Sequence, residues 1–172
     1  MRTLLASAAV AALLAACTPP AERPEKAPSP AVAACNSVAP DAARQVRVED
    51  AVAAAAAASD LRGGAIAPGV YDLVSAQRIG AATGWSGTRA VALEVSEDAN
   101  GAVTFNWSSV APDSAVDSWT ATFTEQPQPR LAYTCGRVGE VTADFAAEPG
   151  GLQLRLQDGA GGQLALAFQR RA

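Results

Sequence analysis

The sequence contains no histidine among its 172 residues. That absence removes the commonest general base, the commonest zinc ligand and every Ser-His or Cys-His nucleophile pair. Lysine is almost missing too, Lys26 being the single one. Neutralising nucleic-acid phosphates takes clustered Lys and Arg, so the chain is read as having no nucleic-acid partner. Aromatic residues are sparse: three Trp, two Tyr and four Phe. A core of this size must use most of them. The apolar segment at residues 4–14 spans eleven positions, too few for a membrane-crossing helix, which needs about 20.

What stands at the N-terminus is an export pattern. Arg2 precedes the apolar segment, and small residues follow it up to Cys17, as in a cleaved signal peptide covering residues 1–16. The tetrapeptide Leu14-Ala15-Ala16-Cys17 resembles the lipobox of bacterial lipoproteins. The resemblance implies that Cys17 is fatty-acylated and opens the mature chain, which is then held on a membrane by its lipid. Thr18, rather than Asp, follows the cysteine, and by the same resemblance the destination is the outer membrane, facing the periplasm. Without residues 1–16 the chain keeps 12 basic and 17 acidic side chains, a net charge of 12 − 17 = −5. One mildly acidic domain follows, with no electrostatic pull toward an anionic bilayer. Residues 17–34 carry Pro19, Pro20, Pro24, Pro28 and Pro30 among charged side chains, the composition of an extended tether.

With Cys17 acylated, Cys35 and Cys135 remain in an oxidising compartment, where a disulfide is the expected state. The alternative is two buried free thiols, with Cys135 on the apolar face of its strand. Residues 35–62 read as a helical extension: 41–59 lack Gly and Pro, include six alanines at 53–58, and sit between Pro40 and Gly63-Gly64. The other reading of that stretch is a frayed continuation of the tether.

Beyond Gly64 the period changes to two. Apolar residues alternate through eight segments, marked by Tyr71 and Leu73 with Ile79; Val91, Leu93, Val95; Val103, Phe105, Trp107; Trp119, Ala121, Phe123; Leu131, Tyr133, Cys135; Val141, Ala143, Phe145; Leu152, Leu154, Leu156; and Leu164, Leu166, Phe168. Their neighbours are polar, as a half-solvated antiparallel sheet requires. Gly, Pro, Asn and Asp punctuate every junction. The connections are too short for crossover helices, so the fold class is all-β. An eight-stranded, antiparallel, up-and-down barrel over residues 63–172 removes both exposed edges; a two-sheet sandwich is the alternative. A membrane barrel shares the alternation, but segments of about 6 to 9 residues fall short of the 9 to 11 a crossing strand needs.

The stretch Gly63-Gly64-Ala65-Ile66-Ala67-Pro68-Gly69-Val70-Tyr71-Asp72-Leu73 resembles the opening of a group of uncharacterised bacterial exported proteins that begin a lipocalin-like sheet this way. Thr134-Cys135 and the basic end Phe168-Gln169-Arg170-Arg171 fit the same likeness, which covers residues 63–172 and implies a lipocalin-like barrel without implying a chemistry. Tyr133-Thr134-Cys135-Gly136 is also slightly similar to the Tyr-x-Cys start of periplasmic lysozyme inhibitors, although the Ser-Gly-x-x-Tyr loop of that family is absent.

Three tryptophans are the candidate ligand-binding residues. Trp107 and Trp119 fall on the apolar faces of their strands, where they either line a lumen or simply fill the core. Trp85 lies in a Gly-rich stretch among small polar neighbours and is expected to be exposed near a barrel mouth. There, with Arg78 and Arg89, it could meet an anionic or sugar-like ligand or a partner protein; the other reading folds it back as a lid. Asp98-Ala99-Asn100-Gly101 reads as a hairpin turn and not a calcium loop, and Asp113 with Asp117 as surface-loop acids. No catalytic residue, metal or cofactor is indicated. The expectation is a lipid-anchored envelope protein whose barrel binds a small apolar molecule or an envelope protein; a structural lipoprotein with a filled core is the second reading, and an enzyme the third.

Overall fold

The protein is described from a computed structural model covering residues 34–51, 61–159 and 161–172. The signal segment, Cys17, the tether at 17–33 and the alanine run at 53–58 lie outside the described residues.

The alternating segments form strands where their period places them. Those strands are β1 (Val46–Ala51), β2 (Gly69–Gly80), β3 (Thr88–Glu97), β4 (Val103–Val110), β5 (Val116–Thr124), β6 (Arg130–Cys135), β7 (Glu140–Glu148), β8 (Gly151–Asp158) and β9 (Gly162–Arg170). From β2 to β9 each strand pairs antiparallel with the next, and β9 returns to pair with β2 from Tyr71↔Arg170 to Gly80↔Gly162. The ring therefore closes, and the sandwich alternative falls. At 12 and 10 residues, β2 and β3 are longer than the expected 6 to 9.

The described residues of the expected helical extension, 35–51 and 61–62, are not helical. Val46-Arg47-Val48 alternates as a strand does, and β1 lies parallel to β2 (Val48↔Ala76 to Ala51↔Ile79) and antiparallel to β3 (Val46↔Arg89). The physical reason is a split in the wall. β2 and β3 pair only from Gly69↔Val95 to Asp72↔Ala92, because β2 bulges between Leu73 and Ser75. β1 fills the opening and sends Val48 into the core, where an alanine-rich helix would have had only a thin apolar face to bury. A second split, between β6 and β7, is covered by Gly63, whose amide donates to the Phe145 carbonyl and whose carbonyl accepts from Ala147.

Residues 35–45 form an outer strap. Cys35 is disulfide-bonded to Cys135, Asn36 Nδ2 donates to the carbonyls of Trp107 and Trp119 at 3.0 Å each, and Arg171 reaches both the Ala39 carbonyl and Asp72. Outward-facing Ala90, Ala92 and Ser108 are buried, so β3 and β4 are covered on both faces. Asp72, only 3 % exposed, accepts two bonds from Arg171 Nε and one from its Nη2, and meets Arg44 at 3.4 Å. That hydrogen bonding raises the Arg171 pKa further above its ordinary value.

Along the barrel the interior changes character. At the end formed by the β3–β4, β5–β6 and β7–β8 turns, Phe105 stacks on Phe123 (centroids 5.1 Å) and Phe145 meets Phe123 edge-on. Leu93, Val95, Leu131, Leu152 and Tyr71 are buried around them, closing a floor. The Tyr71 hydroxyl donates to the Ala67 carbonyl at 2.5 Å, and burial raises its pKa against the lowering effect of Arg170.

The Asp98 turn supplies one pH-dependent element. Its carboxylate accepts from the Ala102 amide (2.9 Å) and the Asn100 amide (2.8 Å), which together lower its pKa. A carboxyl whose folded pKa lies below the unfolded one stabilises fully above the unfolded pKa, and that contribution fades as pH falls through the folded one. Acid unfolding of an Asp98→Asn variant, compared with the parent, is expected to lose this part of the acid limb while the rest of the curve is kept.

Candidate functional site

Opposite the Phe floor, the barrel ends in a cavity of about 480 Å³. Period-two alternation carries Trp107 on β4, Trp119 on β5 and Tyr133 on β6 inward at one level. The two indoles stack with centroids 5.3 Å apart, and Tyr133 meets Trp119 edge-on at the same distance. One step nearer the mouth, Ser109 and Asp117 face each other across the β4–β5 pair, with Arg89 Nη1 donating to Ser109 Oγ at 3.5 Å. Leu156, Leu164 and Leu166 complete the opposite wall.

Trp85 is not exposed as expected; it is 5 % exposed and meets Trp107 edge-on at 6.3 Å. The lid reading is the one realised, and its cause is Asp158. Standing at the end of β8, its carboxylate accepts from the amides of Thr83 (2.7 Å) and Gly84 (2.6 Å), and so pins the β2–β3 loop across the mouth. A Cβ at Gly84 would lie 2.8 Å from Asp158 Oδ1, which is why the loop has glycine there. Arg78 adds a bond to the Trp85 carbonyl at 3.4 Å and pairs with Asp50 of β1. Asp158→Asn weakens the charged acceptor. In a chain keeping Trp85 alone (Trp107→Phe, Trp119→Phe), it is expected to shift indole emission to longer wavelength as the ring meets water; unchanged emission would show the lid held by burial of the ring and the Arg78 bond instead.

The mouth also holds a pair that the sequence reading misplaced. Asp117 is not a surface-loop acid: it lies on β5 in the inward phase and pairs with Arg137 at 2.8 Å. Arg137 in turn lies 5.8 Å from the centroids of both Trp119 and Tyr133, within cation–π range. Asp113, by contrast, accepts from the Ala115 amide within the β4–β5 turn. Cys135 is likewise not on the inward face. An irregularity at Thr134, where Thr120 pairs with Cys135 but Ala121 with Tyr133, turns it outward to Cys35. The disulfide thus lies just outside the mouth, next to Gly136 and Arg137.

One feature of the cavity is chemical. The indole N–H groups of Trp85, Trp107 and Trp119 are all buried without a hydrogen-bond partner. Buried donors are nearly always satisfied, and the exceptions call for a specific cause. Among the described residues no group of three or more His, Cys, Asp or Glu could hold a metal ion.

No protein-family model matches the chain, and no curated protein matches it. Among solved structures it is similar to a de novo designed fluorescence-activating β-barrel, at 11 % identity and a TM-score of 0.42, covering 61 % of this chain and 94 % of that one.

Proposed function

We propose that this is a bacterial envelope protein, lipid-anchored through Cys17 at the outer membrane and facing the periplasm, whose barrel is a cup for a small ring-bearing molecule. The observation that carries the reading is the cavity of about 480 Å³ behind Trp85, Trp107 and Trp119. Its size falls in the range of small-molecule pockets, and its lining combines aromatic faces with a few polar groups, as such pockets do. A solid-core structural lipoprotein would have the Phe floor repeated at both ends.

Binding without catalysis is part of the proposal. The carboxylates at the mouth are engaged, Asp117 by Arg137 and Asp158 by two backbone amides, and among the described residues no nucleophile with an adjacent base stands in the cavity. The anchor belongs to the export pattern ending at Cys17, and the described chain begins its contacts with the barrel at Cys35, beside the mouth.

Two measurements test the two halves separately. Native mass spectrometry of the protein drawn from its own envelope is expected to show a bound mass that Trp107→Ala loses; a single bare mass throughout would remove the cup. Fatty-acid labelling of the expressed chain is expected to vanish on Cys17→Ser, and labelling that persists would remove the anchor.

A further inference from the structure

Resting on the cup reading, we infer that its ligand is an anion: a compact apolar ring system bearing a carboxylate or similar acid, with the acid group held at the Arg89–Ser109 wall and acceptor atoms meeting the indole N–H groups. The argument is a count of hydrogen-bonding capacity. Three buried indole donors have no partner, and indole N–H can only donate. Arg89 brings a guanidinium with five N–H groups, of which one meets Ser109 Oγ. Among the described residues it has no carboxylate within ion-pair distance.

The carboxylates around the same space are each engaged through one oxygen, Oδ2. Asp117 holds Arg137, Asp158 holds the lid amides, and the Ser109 hydroxyl lies 3.4 Å from the Asp117 carbonyl, to which it donates. The formal charges of Arg89, Arg137, Asp117 and Asp158 sum to zero, and Asp117 and Asp158 each keep Oδ1 open, but at partly exposed positions of the mouth; the buried uncommitted capacity is that of the indoles, all of it donating. A ligand rich in donors would leave those groups buried and unpaired, whereas an acid satisfies them with charge-assisted bonds. The stacked Trp107 and Trp119, with Tyr133 edge-on, supply the apolar surface for a ring.

The test is calorimetric titration of the intact protein, in neutral detergent with matched blanks, using three probes that share one ring: 2-naphthoate, 2-naphthamide and 2-naphthylmethylammonium. Naphthoate is expected to bind at least ten-fold more tightly than the other two. It is also expected to move all three indole N–H resonances of the ¹⁵N-labelled protein downfield, and Arg89→Met is expected to abolish the preference for acid over amide. Amide or ammonium binding as tightly as naphthoate overturns the anion inference and leaves the cup standing. Naphthoate binding with unmoved indole resonances overturns the donor assignment. No binding by any of the three overturns the cup as well. If Arg89→Met does not fold, the order of the three probes on the parent protein still decides.

Discussion

Replacing Cys35 and Cys135 together by alanine is expected to cost about 2 to 5 kcal/mol of folding stability. The bond closes a separation of 100 residues, for which the chain-entropy account gives roughly 4.7 kcal/mol. The strap also has a structural task. Residues 35–45 run from the disulfide to β1, they carry the Asn36 bonds to Trp107 and Trp119, and they overlie the small outward residues of β3. Losing the anchor frees the strap at its N-terminal end and loosens β1 in the β2–β3 split, so the barrel should open along that seam first. Urea unfolding of parent and double variant measures the loss, and hydrogen exchange of the Val48 amide, which donates to the Gly87 carbonyl, reports the seam. A loss below about 1 kcal/mol, with Val48 still protected, would show the strap held by its own hydrogen bonds. Gly136 offers a second approach with both cysteines kept. Its φ is +78°, and a Cβ there would run into the Ser118 carbonyl oxygen and approach Cys35 Sγ to 3.0 Å. Gly136→Ala is therefore expected to cost about 1 to 3 kcal/mol.

What the sequence made legible was whatever repeats with period two. Every apolar phase assigned to β3, β4, β5, β7, β8 and β9 points inward, because a strand has two faces and one-residue slips are penalised along its whole length. The alternation broke down at the two irregularities. The bulge in β2 lies between Leu73 and Ser75, and β6 departs from its register near Thr134. No local residue pattern announces an extra residue that the partner strand leaves unpaired, so Cys135 was assigned to the wrong face. β1 was missed for a different reason. The six alanines at 53–58 dominate a propensity reading of 41–59, while Val46-Arg47-Val48 is too short to outweigh them, and the split that β1 fills exists only once β2 and β3 are folded.

The site was half visible for the same reasons. Trp107 and Trp119 were found because their strand phase turns them inward, and Tyr133 and Asp117 share that phase. Asp117 could have been found by counting back two from Trp119. The lid was one of two readings that the sequence left open, and what decides between them is not local: Trp85 sits over the mouth because Asp158, more than 70 positions away in sequence, binds two loop amides.

Phe105→Ala is expected to destabilise the barrel by about 3 to 5 kcal/mol while leaving the selectivity of the cup unchanged. Phe105 is fully buried, stacked on Phe123, and belongs to the closed floor; its removal leaves a hole that rigid neighbouring strands cannot collapse into. Trp85→Ala removes a larger side chain of comparable burial, yet it should cost no more than about 2 kcal/mol, because one face of that ring borders the cavity and has fewer atoms to lose contact with. Its effect should fall on ligand retention instead, through faster dissociation from an uncovered mouth. The contrast separates a barrel packed throughout from one packed only at its floor. If both variants lose similar stability, the space behind Trp85 is closed by side-chain rearrangement in solution, and the aromatic cluster is a second core. If Phe105→Ala alone is severe, the division of the aromatics is functional: Phe where the barrel must be solid, and Trp with Tyr where it must stay open.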